Sequence, residues 1–471
     1  MAKKELLKGV LKMSRKRNTF LGLMTSVAIV VLMCLSMVLP AFATPVYAEG
    51  SGADDPAKAA ITKVLNVPIN TPTPASEFIF TFTAIGMEND TITAGMPAIG
   101  PMTISFAAGE NPINGTFIDE IEGEKNVVKE SSDIVAGLAN VNWAAAHGEG
   151  VYRYMLKETQ SGIPIGDPEL EGASYSKAQY EIEFWVEWDD DAEEYFVKYV
   201  CAKIVENYVD IYHEGKPGGY KIDPTPGEYK EEPYDSIENG FSQLIFTNKY
   251  WVSPGGGPGN PSLGALEINK TITGNGADLS KYFEFSVKVT RPSLIPDDGP
   301  DAVSKLYNAY IMGAGNSIIE PIAANALTGA SVGQNDMITF TSGVEFKISL
   351  TNGQRLVFVD LPIGSKVEVM ESAAEGYKAS YERTFAGSGV QTAPGTNSEW
   401  GFPRSGDNGP HYTIAGANEN FVKFTNTRSG ATPTGIDVDN LPYIVLLIGA
   451  ATAGLVSLVV VRSRRKAREE A

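Results

Sequence analysis

The chain has 471 residues, 43% hydrophobic and 20% charged, which is a globular composition long enough for two or three domains. Its net charge is -19, and setting aside a basic leader (+6, residues 1–48) and tail (+1, residues 435–471) leaves -26 on residues 49–434, a field that repels nucleic acid and anionic membrane surfaces. Cys34 lies in an apolar leader, so Cys201 is the lone thiol of the mature protein and no intramolecular disulfide can form.

Seven basic residues lie between Lys3 and Arg17, an apolar stretch runs from Phe20 to Phe42, and small-residue exits follow at Ala41-Phe42-Ala43 and Val46-Tyr47-Ala48. This three-part pattern predicts a secretory signal peptide over residues 1–48, cleaved after Ala43 or Ala48 with Ala48 the preferred exit. Residues 49–60 then read as a flexible start. From Ile61 to Trp251 the chain reads as short strands rich in Phe, Tyr, Val, Ile and Thr, broken by Gly, Pro and Asn-Asp turns. They cover Glu77–Ile85, Met102–Ala107, Val151–Glu158, Tyr180–Trp188, Tyr195–Val205 and Ser242–Lys249, and a helix is expected over Ser131–Ala146. The acidic run Asp189–Glu194 reads as a solvated hairpin tip, because its spacing is not that of a calcium loop.

Residues 252–264, V-S-P-G-G-G-P-G-N-P-S-L-G, hold no regular structure and read as an interdomain linker. A second strand series occupies residues 265–428, beginning with Ala265–Thr273 and Tyr282–Thr290 and ending with Lys366–Glu371 and Phe421–Thr427. Both segments open on a lysine-bearing strand and close on F-T-N, with E-F motifs at Glu77-Phe78 and Glu284-Phe285 between. Patterning and spacing predict an all-β protein of two tandem sandwiches, the immunoglobulin-like arrangement.

At the far end, Thr432-Pro433-Thr434-Gly435 precedes an apolar run, Leu441 to Val461, that is long enough to span a bilayer. Arg462-Ser463-Arg464-Arg465-Lys466 follows as a cytoplasmic stop. Residues 429–471 therefore resemble a Gram-positive cell-wall sorting signal, although the leucine of the usual L-P-x-T-G is missing; x-x-P-T-G variants are typical of pilin subunits. The resemblance implies a sortase that cleaves between Thr434 and Gly435 and passes the threonine carbonyl to an amine.

Six polar residues stand on apolar strand faces. Lys63 lies between Ile61 and Leu65, Glu158 follows Tyr154 and Leu156, and Asn248 follows Leu244 and Phe246. Lys270 lies between Ile268 and Ile272, Glu371 follows Val367 and Val369, and Asn426 follows Val422 and Phe424. Two sets of Lys, Glu and Asn in the same order point to one chemistry. Burial favours the neutral amine and the protonated carboxyl, so the amine can attack the carboxamide carbon while the acid shuttles protons and ammonia leaves. The product is a Lys–Asn isopeptide bond, formed once. Glu368, on the opposite face, is the rival of Glu371.

On Ile61-Thr62-Lys63-Val64, Gly150–Glu158, Phe246-Thr247-Asn248 and their counterparts Leu266–Lys270, Val367–Glu371 and Phe424-Thr425-Asn426, the chain resembles streptococcal pilin-type isopeptide-linked domain proteins. The resemblance implies Lys63–Asn248 and Lys270–Asn426 bonds catalysed by Glu158 and Glu371, in a wall-anchored surface subunit. Its partners would be sortase and either peptidoglycan or further subunits. Backbone pilins also offer a linking lysine before the closing Asn; Asn239–Gln243 has none here, and Lys216, Lys221 and Lys230 are the substitutes. The alternative is a non-polymerising adhesin that grips a host ligand through residues 162–178 and 210–239. A turnover enzyme is disfavoured, since His147, His213 and His411 are dispersed without metal-ligand spacing, and neither metal nor cofactor is expected.

Overall fold

The computed structural model describes residues 47–88, 90–119, 123–229, 236–296, 302–384, 391–394, 400–402 and 420–428, with scattered positions between 450 and 462. The described chain is all-β, built as four sheets that share two cores. Among the described residues no helix is long and apolar enough to cross a membrane. Thr434, Gly435, nearly all of the apolar run 441–461 and residues 1–46 of the leader lie outside the described residues.

The first unit pairs a seven-stranded sheet with a five-stranded one. The larger sheet runs Ala48–Glu49, Glu194–Ile204, Gln179–Asp189, Gly150–Glu158, Ser76–Met87, Met102–Phe106, with Lys221–Ile222 beside Glu194–Ile204. The smaller runs Thr116–Asp119, Glu124–Glu130, Thr62–Pro68, Ile245–Val252, Glu171–Ser174. Alternation drives the packing: in Gly150–Glu158 the buried positions are Tyr152, Tyr154, Leu156 and Glu158. They meet Leu65, Val67 and Phe246 from the facing sheet in one core.

The opening strand Thr62–Pro68 departs from alternation, with all seven residues buried. Its second face is covered too, since Val64 packs with Val128, Ile237 and Ile245. That outer cover explains why a strand carrying Thr62, Lys63 and Asn66 is solvent-free.

The second unit pairs an eight-stranded sheet, Ser331–Val332, Ile338–Thr341, Leu306–Met312, Arg355–Phe358, Leu266–Thr273, Phe421–Arg428, Tyr377–Thr384, Gln391–Pro394, with a four-stranded one. The latter runs Phe346–Leu350, Phe283–Thr290, Lys366–Glu371, Trp400–Phe402. Strict alternation in Phe283–Thr290 aims Phe283, Phe285, Val287 and Val289 into the core.

One expectation changes. The span Ser131–Ala146 is not an α-helix but two short 3-10 turns, Ala136–Leu138 and Trp143–Ala146. Asn142 begins the second by accepting the Ala145 N–H, and His147 ends it in the left-handed conformation. Val252 ends the strand Ile245–Val252; residues 253–264 of the glycine-rich stretch have no regular structure, yet they are tied down on both sides. Ser253 N–H donates to Leu170 O, and Gly257 N–H to Val359 O. Gly255 approaches Val359 O so closely that a Cβ would sit 2.1 Å from it, so only glycine fits. Trp251 packs with Leu294 and Ile295 across the junction. Residues 47–49 are also held: Ala48 pairs with Val200, and Tyr47 stacks edge-on against Tyr199 at 5.1 Å.

Candidate functional site

In each unit the opening and closing strands lie side by side and parallel. Lys63 is the lateral partner of Phe246, and Lys270 of Phe424. The asparagine two residues further on, Asn248 or Asn426, returns to the same face as the lysine. Glu158 arrives from the facing sheet at the end of Gly150–Glu158, opposite Phe80, and Glu371 arrives likewise opposite Phe285.

The first constellation is closed to solvent: Lys63 and Asn248 are 0% exposed and Glu158 6%. One Glu158 oxygen lies 2.7 Å from Lys63 Nζ and the other 2.6 Å from Asn248 Nδ2. Lys63 Nζ also donates to Phe246 O at 3.1 Å, and sits 4.4 Å from the Phe78 ring centre. The carboxamide is oriented by the Ser176 backbone N–H, which donates to Asn248 Oδ1 at 2.7 Å. Glu158 therefore faces the nitrogen of the amide rather than its oxygen, which differs from an acid hydrogen-bonded to the carbonyl. In this pose the carboxyl bridges Lys63 Nζ and Asn248 Nδ2.

The second constellation repeats the lysine–glutamate contact of the first, while Glu371 Oε2 and Asn426 Oδ1 have no hydrogen-bond partner among the described residues. Lys270 and Glu371 are each 1% exposed and Asn426 2%, with Lys270 Nζ 2.6 Å from Glu371 Oε1 and 4.1 Å from the Phe283 ring centre. Phe285 packs on Phe424 at 5.2 Å, as Phe80 does on Phe246 at 5.0 Å. The equivalent pairs are thus Phe78/Phe283 and Phe80/Phe285, so the E-F motifs taken as matching from the sequence are two residues out of register. Glu368 points away and pairs with Lys288 at 3.2 Å, both of them well exposed.

Burial pushes both amines down, Lys63 and Lys270 each to about 8, against the opposing pull of Glu158 and Glu371. Burial also raises both carboxyls, against the lowering effect of their lysines and asparagines. Removal from water thus shifts amine and acid toward their neutral forms, while the Phe78 and Phe283 rings, at 4.4 and 4.1 Å from the amines, favour the charged amine.

Sequence reading missed a fourth buried polar residue at the first site, a second acid. Asp210, 4% exposed, accepts from Thr247 N–H (2.7 Å) and Thr247 Oγ1 (2.8 Å), next to Asn248, and from Ser176 Oγ at 3.3 Å. Nothing in its local sequence marks it, because the contact exists only through the fold. Of the substitute linking lysines, Lys216 lies over the Tyr220 ring at 4.7 Å and Lys221 is exposed, while Lys230 is outside the described residues. Among the described residues no cluster of metal-ligating side chains occurs, and Cys201 is a buried free thiol.

A family profile described as "Domain of unknown function (DUF7601)" matches residues 264–428, the second pair of sheets. No curated protein matches the chain. Among solved structures, the chain is similar to the major pilin from Streptococcus pyogenes, with 14% identity over 79% of this chain and 98% of that one and a TM-score of 0.27. It is similar to the T-13 major pilin of the same organism at 14% identity, 82% and 100% coverage and TM-score 0.26. It is also similar to the pilus-presented adhesin Spy0125 (Cpa) at 12% identity, 77% and 99% coverage and TM-score 0.22.

Proposed function

We propose that this protein is a pilin-like surface subunit, exported and attached by sortase through Thr434, whose two sandwiches are locked by Lys63–Asn248 and Lys270–Asn426 isopeptide bonds. It is not a turnover enzyme; each bond forms once. The observation that carries the reading is the duplicated, solvent-free Lys/Glu/Asn set between parallel opening and closing strands. In each set the lysine has a carboxyl oxygen within 2.7 Å.

Each step follows from these positions. Neutral Lys63 Nζ attacks Asn248 Cγ while the protonated Glu158 delivers a proton to Nδ2 and receives one from the amine. The Cγ–Nδ2 bond breaks, ammonia departs, and a neutral amide lies beside a neutral acid. Strand pairing holds the reactants together, so the entropy of approach is already spent in folding. Lys270, Glu371 and Asn426 do the same in the second unit.

A non-polymerising wall-anchored adhesin is the other reading. Its candidate loops are partly committed to the fold. Within 162–178, Glu171–Ser174 pairs with the closing strand and Ser176 holds Asn248. Within 210–239, Asp210 is anchored to Thr247. These contacts favour the structural role. Immunoblotting of cell-wall extracts decides between the two: a high-molecular-weight ladder fits the subunit, whereas a single band fits the adhesin, and either signal should leave the wall fraction when sortase is deleted.

A further inference from the structure

The first site contains groups that the three reacting side chains do not account for. An amine adding to a carboxamide drives the carbonyl electrons onto Oδ1, and in a dry site that charge needs a fixed donor. Asn248 Oδ1 already has one, the Ser176 N–H at 2.7 Å. Ser176 is in the segment just beyond Glu171–Ser174, the neighbour of the closing strand. Its placement is governed by Asp210, which caps the 3-10 turn Ile211–His213 through the Tyr212 N–H. One oxygen of Asp210 takes the Ser176 hydroxyl and the Thr247 N–H, and the other takes the Thr247 hydroxyl. Asp210 thereby ties the residue preceding the electrophile to the residue that supplies the donor.

We propose that the Ser176 backbone N–H is the oxyanion donor for crosslinking at Asn248, and that Asp210 is the positioning residue that holds this donor on the carboxamide. The inference rests on the crosslinking function proposed above. As Lys63 Nζ bonds to Asn248 Cγ, the π pair moves onto Oδ1 and is held by the Ser176 N–H. When the carbonyl re-forms, Nδ2 leaves with a proton from Glu158, and the products are one secondary amide and one ammonia. No oxidant or further reactant is needed. In the second site, among the described residues, Asn426 Oδ1 has no hydrogen-bond partner. The Lys270–Asn426 bond is therefore an internal control made in the same chain.

The test is the rate of each bond in newly made full-length protein. Chains are pulse-labelled, quenched in acid denaturant at intervals and digested, and the branched Lys63–Asn248 and Lys270–Asn426 peptides are counted. Ser176→Pro deletes the donor and should slow the first bond roughly 100-fold. Asp210→Asn should slow it roughly tenfold, as a donor displaced but not deleted. Thr247→Val, which removes one ligand of Asp210 and leaves the strand intact, should slow it measurably. Ser176→Ala keeps the N–H but loses the hydroxyl that Asp210 holds, and should slow the first bond to the same degree as Asp210→Asn. In all four the second bond should form at its usual rate. A positioning role leaves the final yield complete and only delayed, whereas a merely structural one leaves a protease-sensitive fraction that never bonds. Wild-type rates in Asp210→Asn, or in Thr247→Val should the first variant fail to fold, overturn the proposal while leaving the crosslink intact. Absence of both branched peptides from the wild type overturns the crosslink itself.

Discussion

Lys63, on the strand that opens the first unit, is the direct lateral partner of Phe246 on the strand that closes it, and the two strands run parallel. The chain therefore enters at one end of this ladder and leaves at the other, so tension on the termini shears it lengthwise. Asn248 stands one side-chain step beyond Phe246, toward the exit. A bond from Lys63 to Asn248 carries that tension across the two strands and leaves the rest of the sandwich unloaded. Lys270, Phe424 and Asn426 repeat the relationship.

Pulled end to end, the wild-type first unit should show no unfolding step. Asn248→Ala should release the chain between positions 63 and 248, a lengthening of roughly 60 nm at about 3.4 Å per residue. Single-molecule force spectroscopy reads this directly. A step of that size in the wild type would mean that the strands are not bridged.

Glu158 has two separable duties. Glu158→Ala removes the proton carrier and strands the Lys63 amine in the core, so it should abolish the first bond and destabilise that unit by about 3–5 kcal/mol beyond the loss of the crosslink. Lys63→Met combined with Glu158→Leu is equally unable to bond, but it removes the buried charge and should recover most of that added loss. Denaturant titration of both variants against Asn248→Ala measures the difference. Asn248→Ala itself should lose about 5 kcal/mol on the chain-entropy argument for a crosslink closing so long a loop.

The bonding rate should be bell-shaped in pH. In the proposed reaction the pair holds one proton between Lys63 and Glu158. Burial sets the amine at about 8, so above that pH the shared proton is lost and no acid remains to expel ammonia. In acid the carboxyl is protonated while the amine is still charged, and attack stops. The rate should thus fall as pH rises through about 8 and fall again toward acid, for Lys270 as for Lys63. Initial rates of branched-peptide formation across pH check this; a rate that kept climbing above pH 9 would remove Glu158 from the proton transfer.

Much of the architecture was legible because alternation is strong where one face is buried: Phe283–Thr290 and Gly150–Glu158 read correctly from period two alone. Glu124–Glu130, E-K-N-V-V-K-E, was not, since it is polar at both ends and buries only Val127 and Val128. Tyr377–Thr384 escaped because its outer face is polar and its inner face, Tyr377, Ala379, Tyr381 and Arg383, has no aliphatic alternation. The lysines, glutamates and asparagines stood out because a charge on an apolar face is costly. Ser176 acts through its backbone, and Asp210 lies in a turn that is far in sequence from its partners. No face test on a strand could have found either.

Edman sequencing of the mature protein should place its N-terminus at Thr44. Cleavage after Ala43 keeps Tyr47 and Ala48, which pack on Tyr199 and Val200, whereas cleavage after Ala48 discards both contacts. An N-terminus at Glu49 would show that this edge pairing is absent from the exported protein.

The most direct test is the intact mass of the exported protein, followed by tryptic mapping. The account requires a mass lower than that of the processed sequence by two molecules of ammonia, with branched peptides joining Lys63 to Asn248 and Lys270 to Asn426. An unreduced mass, with all four residues recovered in linear peptides, would contradict it.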